Sequence, residues 1–204
     1  MIVSQLFPIF LTFFILIDPL GISMIFLSLS ARYPEQQRRK IARKAPLIAF
    51  LVLSSFIYFG PALIQALGIE PGSLYIAGGI LLFLIAIDLL FGSRRRTKTS
   101  DPKEDEETDI TVFPLALPLM SGPGAITAVL LFVSEPGQSL VSSLTLQAII
   151  GLVLFLASIT MTISSTLSRI LGKTGVMVIE RIMGILLSGM SVQFVVNGLS
   201  RLGF

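Results

Sequence analysis

Asp18-Pro19-Leu20-Gly21 interrupts an apolar run, about residues 7–29, that is otherwise long enough to cross a membrane. Proline inside a helix removes a backbone donor and clashes with the preceding turn. A carboxylate at bilayer depth costs several kcal/mol on any scale, at least about 2.5. A near-copy of the interruption, Ser121-Gly122-Pro123-Gly124, lies in the middle of a second apolar run, about residues 111–135. Paired interruptions of this kind mark membrane chains in which two broken helices meet around a solute.

The composition agrees. Of 204 residues, 53% are hydrophobic and only 13% charged, half the usual charge of a soluble domain, and the mean hydropathy is +0.90. These values place the chain among polytopic α-helical membrane proteins. It has no Trp, so an aromatic belt would rest on Tyr33, Tyr58, Tyr75 and some of its 15 Phe. With neither Cys nor His, disulfides, thiol or imidazole catalysis and the usual soft metal sites are excluded. The first run lacks the basic flank and cleavage site of a signal peptide and is read as a mature span.

Six spans are expected, near 7–29, 46–69, 72–92, 111–135, 146–168 and 175–199. Pro46 and Pro71 suit first-turn positions, and Gly172 and Gly175 bracket a turn in which Thr174 would cap the last helix. Lys and Arg set the orientation. Segments 30–45, 93–110 and 169–181 hold 14 of the 15 basic residues, and only Arg201 falls on the other face. These basic segments are therefore expected in the cytoplasm of a multi-pass inner (cell) membrane protein, with both termini outside. Residues 93–110 run from Arg94-Arg95-Arg96 to Glu104-Asp105-Glu106-Glu107, a blocky polar linker. The linker separates a first unit, 1–92, from a second, 111–204.

Three spans per unit is an odd number, so the two halves would be inverted in the membrane. Gly79-Ile80-Leu81-Leu82 recurs as Gly184-Ile185-Leu186-Leu187, each followed nine residues after its glycine by a polar residue, Asp88 or Gln193. The expected fold is thus all-α, six transmembrane helices in two inverted three-helix repeats, with spans one and four broken near the midplane.

Four ordered motifs resemble those of the MarC/SnatA family of six-span integral membrane proteins. They are Asp18-Pro19-Leu20-Gly21, Gly78-Gly79-Ile80, Leu115-Ala116-Leu117-Pro118-Leu119 leading into Gly122-Pro123-Gly124-Ala125-Ile126, and Glu180-Arg181-Ile182-Met183-Gly184. The resemblance covers nearly the whole chain. It implies an inverted-repeat fold and, for the transporting members, uptake of small neutral amino acids such as glycine and alanine. Where family members often carry an Asn and a Pro after the first motif, this chain has Ile22 and Met24.

The residues supply their own chemistry. Asp18 is a good N-cap with Pro19 at the first helical position; Ser121 or Gly122 would cap a second half-helix beginning at Pro123. Two facing N-terminal tips, each with free N–H groups and about half a positive charge, would suit a carboxylate. Asp18, Pro19, Leu20, Gly21, Ser121, Gly122, Pro123, Gly124 and Thr127 are therefore the expected substrate-binding residues. The glycines admit only a small side chain, and the Ser121 and Thr127 hydroxyls would add donors. Asp18 would face the ammonium group or a coupling cation, proton or sodium, with Gln193 a second coupling candidate. No other cofactor and no nucleic-acid partner is expected; the partners are the solute and lipid, with homo-oligomerisation left open.

Other polar residues have blander readings. Asp88 would pair at the interface with Arg94 or Arg95. Glu180 suits a helix start, in pairing or headgroup contact, the Ser/Thr-rich end of span five suits helix packing, and Gly60-Pro61 would bend span two. No P-loop occurs, against ATP-driven transport within this chain. An intramembrane enzyme would need a paired acid or nucleophile, and Asp18 and Asp88 lie at different depths. The alternative to a coupled transporter is a channel-like exporter, which would show flux without saturation.

Overall fold

A computed structural model describes residues 3–91, 110–135, 137 and 139–204. The linker and the proposed Asp88–Arg94/Arg95 pairing fall outside the described residues or depend on them. Helices account for nearly all of the described chain: α1 (Val3–Ile17), α2 (Pro19–Leu29), α3 (Glu35–Ala66), α4 (Pro71–Phe91), α5 (Pro123–Val133), α6 (Leu140–Thr162) and α7 (Ser164–Arg201), with a wide-turn helical segment at Thr111–Met120 before α5. Among the described residues, five stretches are long and apolar enough to cross a membrane: Leu6–Leu29, Glu35–Ala66, Pro71–Phe91, Leu140–Thr162 and Thr174–Arg201. By itself α5, with 11 residues, is too short.

The broken stretch is central. Its apolar window is 67% buried, against 22–33% for the other four, so α1 and α2 form the middle of the bundle and the others turn apolar faces outward. Phe13, Ile15, Ile17, Ile22 and Phe26 are almost wholly enclosed. The outer helices show Leu51, Phe59, Phe155 and Ile185 on their surfaces, as lipid contact requires.

The most extensive helix pair is α4 with α7. A methyl added at Gly79 would lie 2.7 Å from the Ser191 carbonyl oxygen, one at Gly184 3.1 Å from that of Ala86, and one at Gly198 2.7 Å from that of Gly72. Gly72, Gly79 and Ala86 on one helix thus oppose Gly198, Ser191 and Gly184 on the other, at heptad spacing and in antiparallel order. Small residues repeated on one stripe let the two backbones nearly touch, which is how apolar helices gain contact in lipid.

Several helix ends differ from expectation. The second span begins at Glu35, so Pro46 is a buried interior residue and not a first-turn one. Helix-forming charged residues carry α3 outward, aided by an Arg39–Glu35 ion pair at 2.6 Å. The same helix runs on through Pro61, and Gly60 serves to admit Leu130 of α5. Span five is Leu140–Thr162, so Ser164, Ser165 and Thr166 open α7 instead. Gly172, at φ 61°, ψ 176°, breaks α7, and the apolar helix that follows the break runs Thr174–Arg201. Pro71 does begin α4.

The fourth apolar run is more irregular than a single break. Phe113 (φ −125°, ψ 124°) and Leu117 (φ −126°, ψ 123°) are extended. Each precedes a proline, whose ring disfavours the α conformation of its predecessor. The Phe113–Pro114 bond is cis.

Candidate functional site: the paired helix breaks

At the first break the chain leaves α1 through Asp18 in the left-handed region, φ 49°, ψ 67°. Aspartate tolerates that region better than most residues, and the following proline disfavours the right-handed one. The Asp18 amide still donates to the Phe14 carbonyl at 3.0 Å, closing α1, while its own carbonyl accepts from Ile22 at 2.9 Å, opening α2. Its carboxylate Oδ1 accepts from the Gly21 amide at 3.0 Å. One residue therefore ends one helix and caps the next. It is 6% exposed. From α6, the Thr160 hydroxyl donates to the Pro19 carbonyl at 2.7 Å and fixes the break sideways.

The second break has a different chemistry. Gly122 is the N-cap of α5, extended at φ −72°, ψ 174°, and no side chain caps this helix. Ser121 does not cap: its hydroxyl donates back to the Ala116 carbonyl at 2.8 Å, which its amide also meets at 3.1 Å. Thr127 likewise donates to the Pro123 carbonyl at 2.7 Å. Both hydroxyl protons are thus committed to backbone, and what these oxygens can still offer is acceptor capacity.

The two tips are therefore unlike. Asp18 covers the positive end of α2 with its own carboxylate, whereas Gly122 gives the positive end of α5 no side-chain cap hydrogen bond. They are nonetheless close. A methyl built on Gly124 would lie 3.5 Å from Leu16 and 3.4 Å from Leu82, so the last turn of α1 touches the first turn of α5. Phe13 and Phe132 continue that contact, ring centroids 5.9 Å apart. The structure brings Asp18–Gly21 and Ser121–Gly124 into one neighbourhood. Gln193 is exposed on α7, its amide donating to Asn197 at 2.9 Å one turn on, and is not joined to the breaks.

Glu180, expected in pairing or headgroup contact near the start of the last span, has its Oε1 3.0 Å from where a Gly21 side chain would begin, on the side where the Asp18 carboxylate sits. A second acid thus faces the α2 tip from α7. The signal was present in the quoted motif, since Glu180 is the acid nearest the apolar run Ile182–Met183, but its partner could not be inferred. Glu180 also lines a cavity of about 530 Å³ between α2, the end of α4 and α7, with Met24, Ser28, Phe91 and Arg181. A second cavity of about 300 Å³, lined by Phe26, Glu35, Arg38 and Thr162, lies on the other side of α2. Both belong to the half of the bundle that carries the basic segments.

The profile described as MarC family integral membrane protein matches residues 3–202. An Archaeoglobus fulgidus protein called UPF0056 membrane protein is 38% identical over 97% of this chain and 93% of its own length. Its namesake in Aquifex aeolicus is 37% identical over 95% and 91%. UPF0056 membrane protein YvbG of Bacillus subtilis is 33% identical over 98% and 96%. No solved structure matches the chain.

Proposed function

The chain belongs to the MarC family of integral membrane proteins, and from that premise we propose that it is a secondary transporter of small neutral amino acids, of the glycine and alanine class, coupled to a proton or sodium gradient. The observation that carries the reading is the contact of two interrupted helices whose tips have opposite chemical offers. The α5 tip, with Gly122 and Gly124 and no side-chain cap hydrogen bond, suits a carboxylate. The α2 tip, with Asp18 and Glu180 against it, suits an ammonium group or a coupling cation. A zwitterion spanning the two meets both demands, and Ser121 and Thr127 oxygens are acceptors for its ammonium protons. A bulky side chain would have to displace Leu16, Leu82 and Ile85 around Gly124.

On this reading Thr111–Val133 is the sixth span, and α1–α4 and Thr111–Arg201 are the two inverted halves. The α4–α7 seam supports this. Exchanging Gly79 for Gly184 and Ser191 for Ala86 turns one of its contacts into the other, as a two-fold axis in the membrane plane demands. The basic end faces the cytoplasm and the termini face outward.

Counterflow of labelled glycine and alanine in proteoliposomes, with imposed proton and sodium gradients, tests the reading. Saturable, gradient-driven accumulation is expected. Linear flux indifferent to both gradients would instead make the protein a passive exporter, and no flux of any amino acid would remove the substrate class.

A further inference from the structure

At the end of the bundle opposite the basic segments, residues from α4, α7 and the loop after α5 meet. Glu135, two residues beyond α5, accepts from Arg201 of α7 through both carboxylate oxygens, each at 2.8 Å. The Tyr75 hydroxyl, from the second turn of α4, donates to the same carboxylate. Arg201 lies over the Tyr75 ring, 4.6 Å from its centroid, and Phe194 meets that ring edge-on at 5.8 Å. Among the described residues Arg201 is the single basic residue at this end, and this cluster ties the outer tip of α5 to the α4–α7 pair.

Elsewhere α5 packs on α1, α3 and α4 and buries most of its residues. Its inner end has no side-chain cap, and it hangs from the irregular Thr111–Met120 segment. Along its length it meets α4 through Thr127 and Leu131, which pack on the bare face of Gly78. The cluster side chains are about one-third exposed at Glu135 and Arg201, 34% each, so water can replace the contact, as it cannot for a fully buried pair. Meanwhile the cavity lined by Glu180 lies at the basic end, and the Glu180 Oε1 is 3.0 Å from where a Gly21 side chain would begin.

We propose that Tyr75, Glu135 and Arg201 are the latch of an outer gate, with α5 as its moving element, and that the structure is the state closed outside and accessible from the cytoplasm. The inference rests on the transporter reading and adds to it the device that would alternate access. Releasing the latch lets α5 part from α4 at Gly78, exposing the breaks to the outside and closing the inner cavity.

The chain has no cysteine, so introduced thiols report accessibility without background. Leu131, 1% exposed on α5, and Met177, which lines the inner cavity, are each replaced by Cys in oriented vesicles. A membrane-impermeant maleimide is applied from one side at a time. Glu135→Gln is expected to speed labelling of Leu131→Cys from outside about ten-fold and to slow labelling of Met177→Cys from inside. The charge-exchanged pair Glu135→Arg with Arg201→Glu should restore both rates toward the parent. Tyr75→Phe, which keeps the ion pair and the ring, should fall between and serves if the charge variants fold poorly. Unchanged rates at Leu131→Cys, or a rise at both positions, overturn the proposal, because a mere strut would loosen the bundle without reciprocity. Labelling needs no substrate: reciprocal switching without amino-acid flux keeps the latch and sinks only the substrate class.

Discussion

Gly79→Ala probes the seam that holds α4 to α7. The new methyl would sit 2.7 Å from the Ser191 carbonyl oxygen, and 2.7 and 3.0 Å from atoms of Val195, one of them its backbone nitrogen. An ordinary contact is nearer 3.4 Å, so the helices must separate by several tenths of an ångström, and neither backbone atom can swing away. Overpacking of this kind costs about 1–3 kcal/mol. Alanine also favours a helix over glycine by about 0.5–1 kcal/mol, which masks part of that cost. Gly189→Ala removes the ambiguity. It lies on the same helix with nothing within 4 Å of the added methyl, and so it gains the propensity without the clash. The difference between the two variants therefore isolates the seam and should be about 1–3 kcal/mol. Reversible unfolding in mixed micelles measures it. Equal stability of Gly79→Ala and Gly189→Ala would refute the close approach.

Asp18→Asn keeps a capping oxygen and tolerance of φ 49°, so the protein should stay folded while transport loses its dependence on the driving cation; unchanged coupling in reconstituted protein would leave Asp18 a capping residue alone. Asp18→Ala, by contrast, should cost stability by about 2–3 kcal/mol, from the lost cap and the left-handed strain together, read in the same unfolding assay. Thr160→Val removes the donor to the Pro19 carbonyl, and about 1 kcal/mol of stability should go with it; a variant as stable as the parent would mean that α6 does not hold the break. Glu180→Gln should alter glycine counterflow while leaving the unfolding midpoint near the parent value, since it faces a cavity; normal transport kinetics would separate Glu180 from the site.

Much of this architecture was written locally. Asp18-Pro19 at the middle of an apolar run can only be a break, because the proline withholds a donor and the acid supplies a cap, and both facts hold within four residues. Pro71 opened α4 for the same kind of reason. The extended backbone at Phe113 and Leu117 was equally local, although Pro118 was read only as part of a motif and Pro114 was not read as an interruption. The start of α3 was missed because hydropathy reports where a helix enters lipid, not where it begins, and Glu35–Lys44 are good helix formers in water.

By itself, then, the sequence determined that this is a helical membrane protein with two paired interruptions, since both follow from transfer energies and backbone sterics of neighbouring residues. Only the tertiary structure decided that Glu180 faces Asp18, that Gly79 meets Ser191, and that Tyr75, Glu135 and Arg201 share one corner. Those contacts join residues far apart in the chain, and their partners are selected by how helices pack in three dimensions. No short-range rule carries that information.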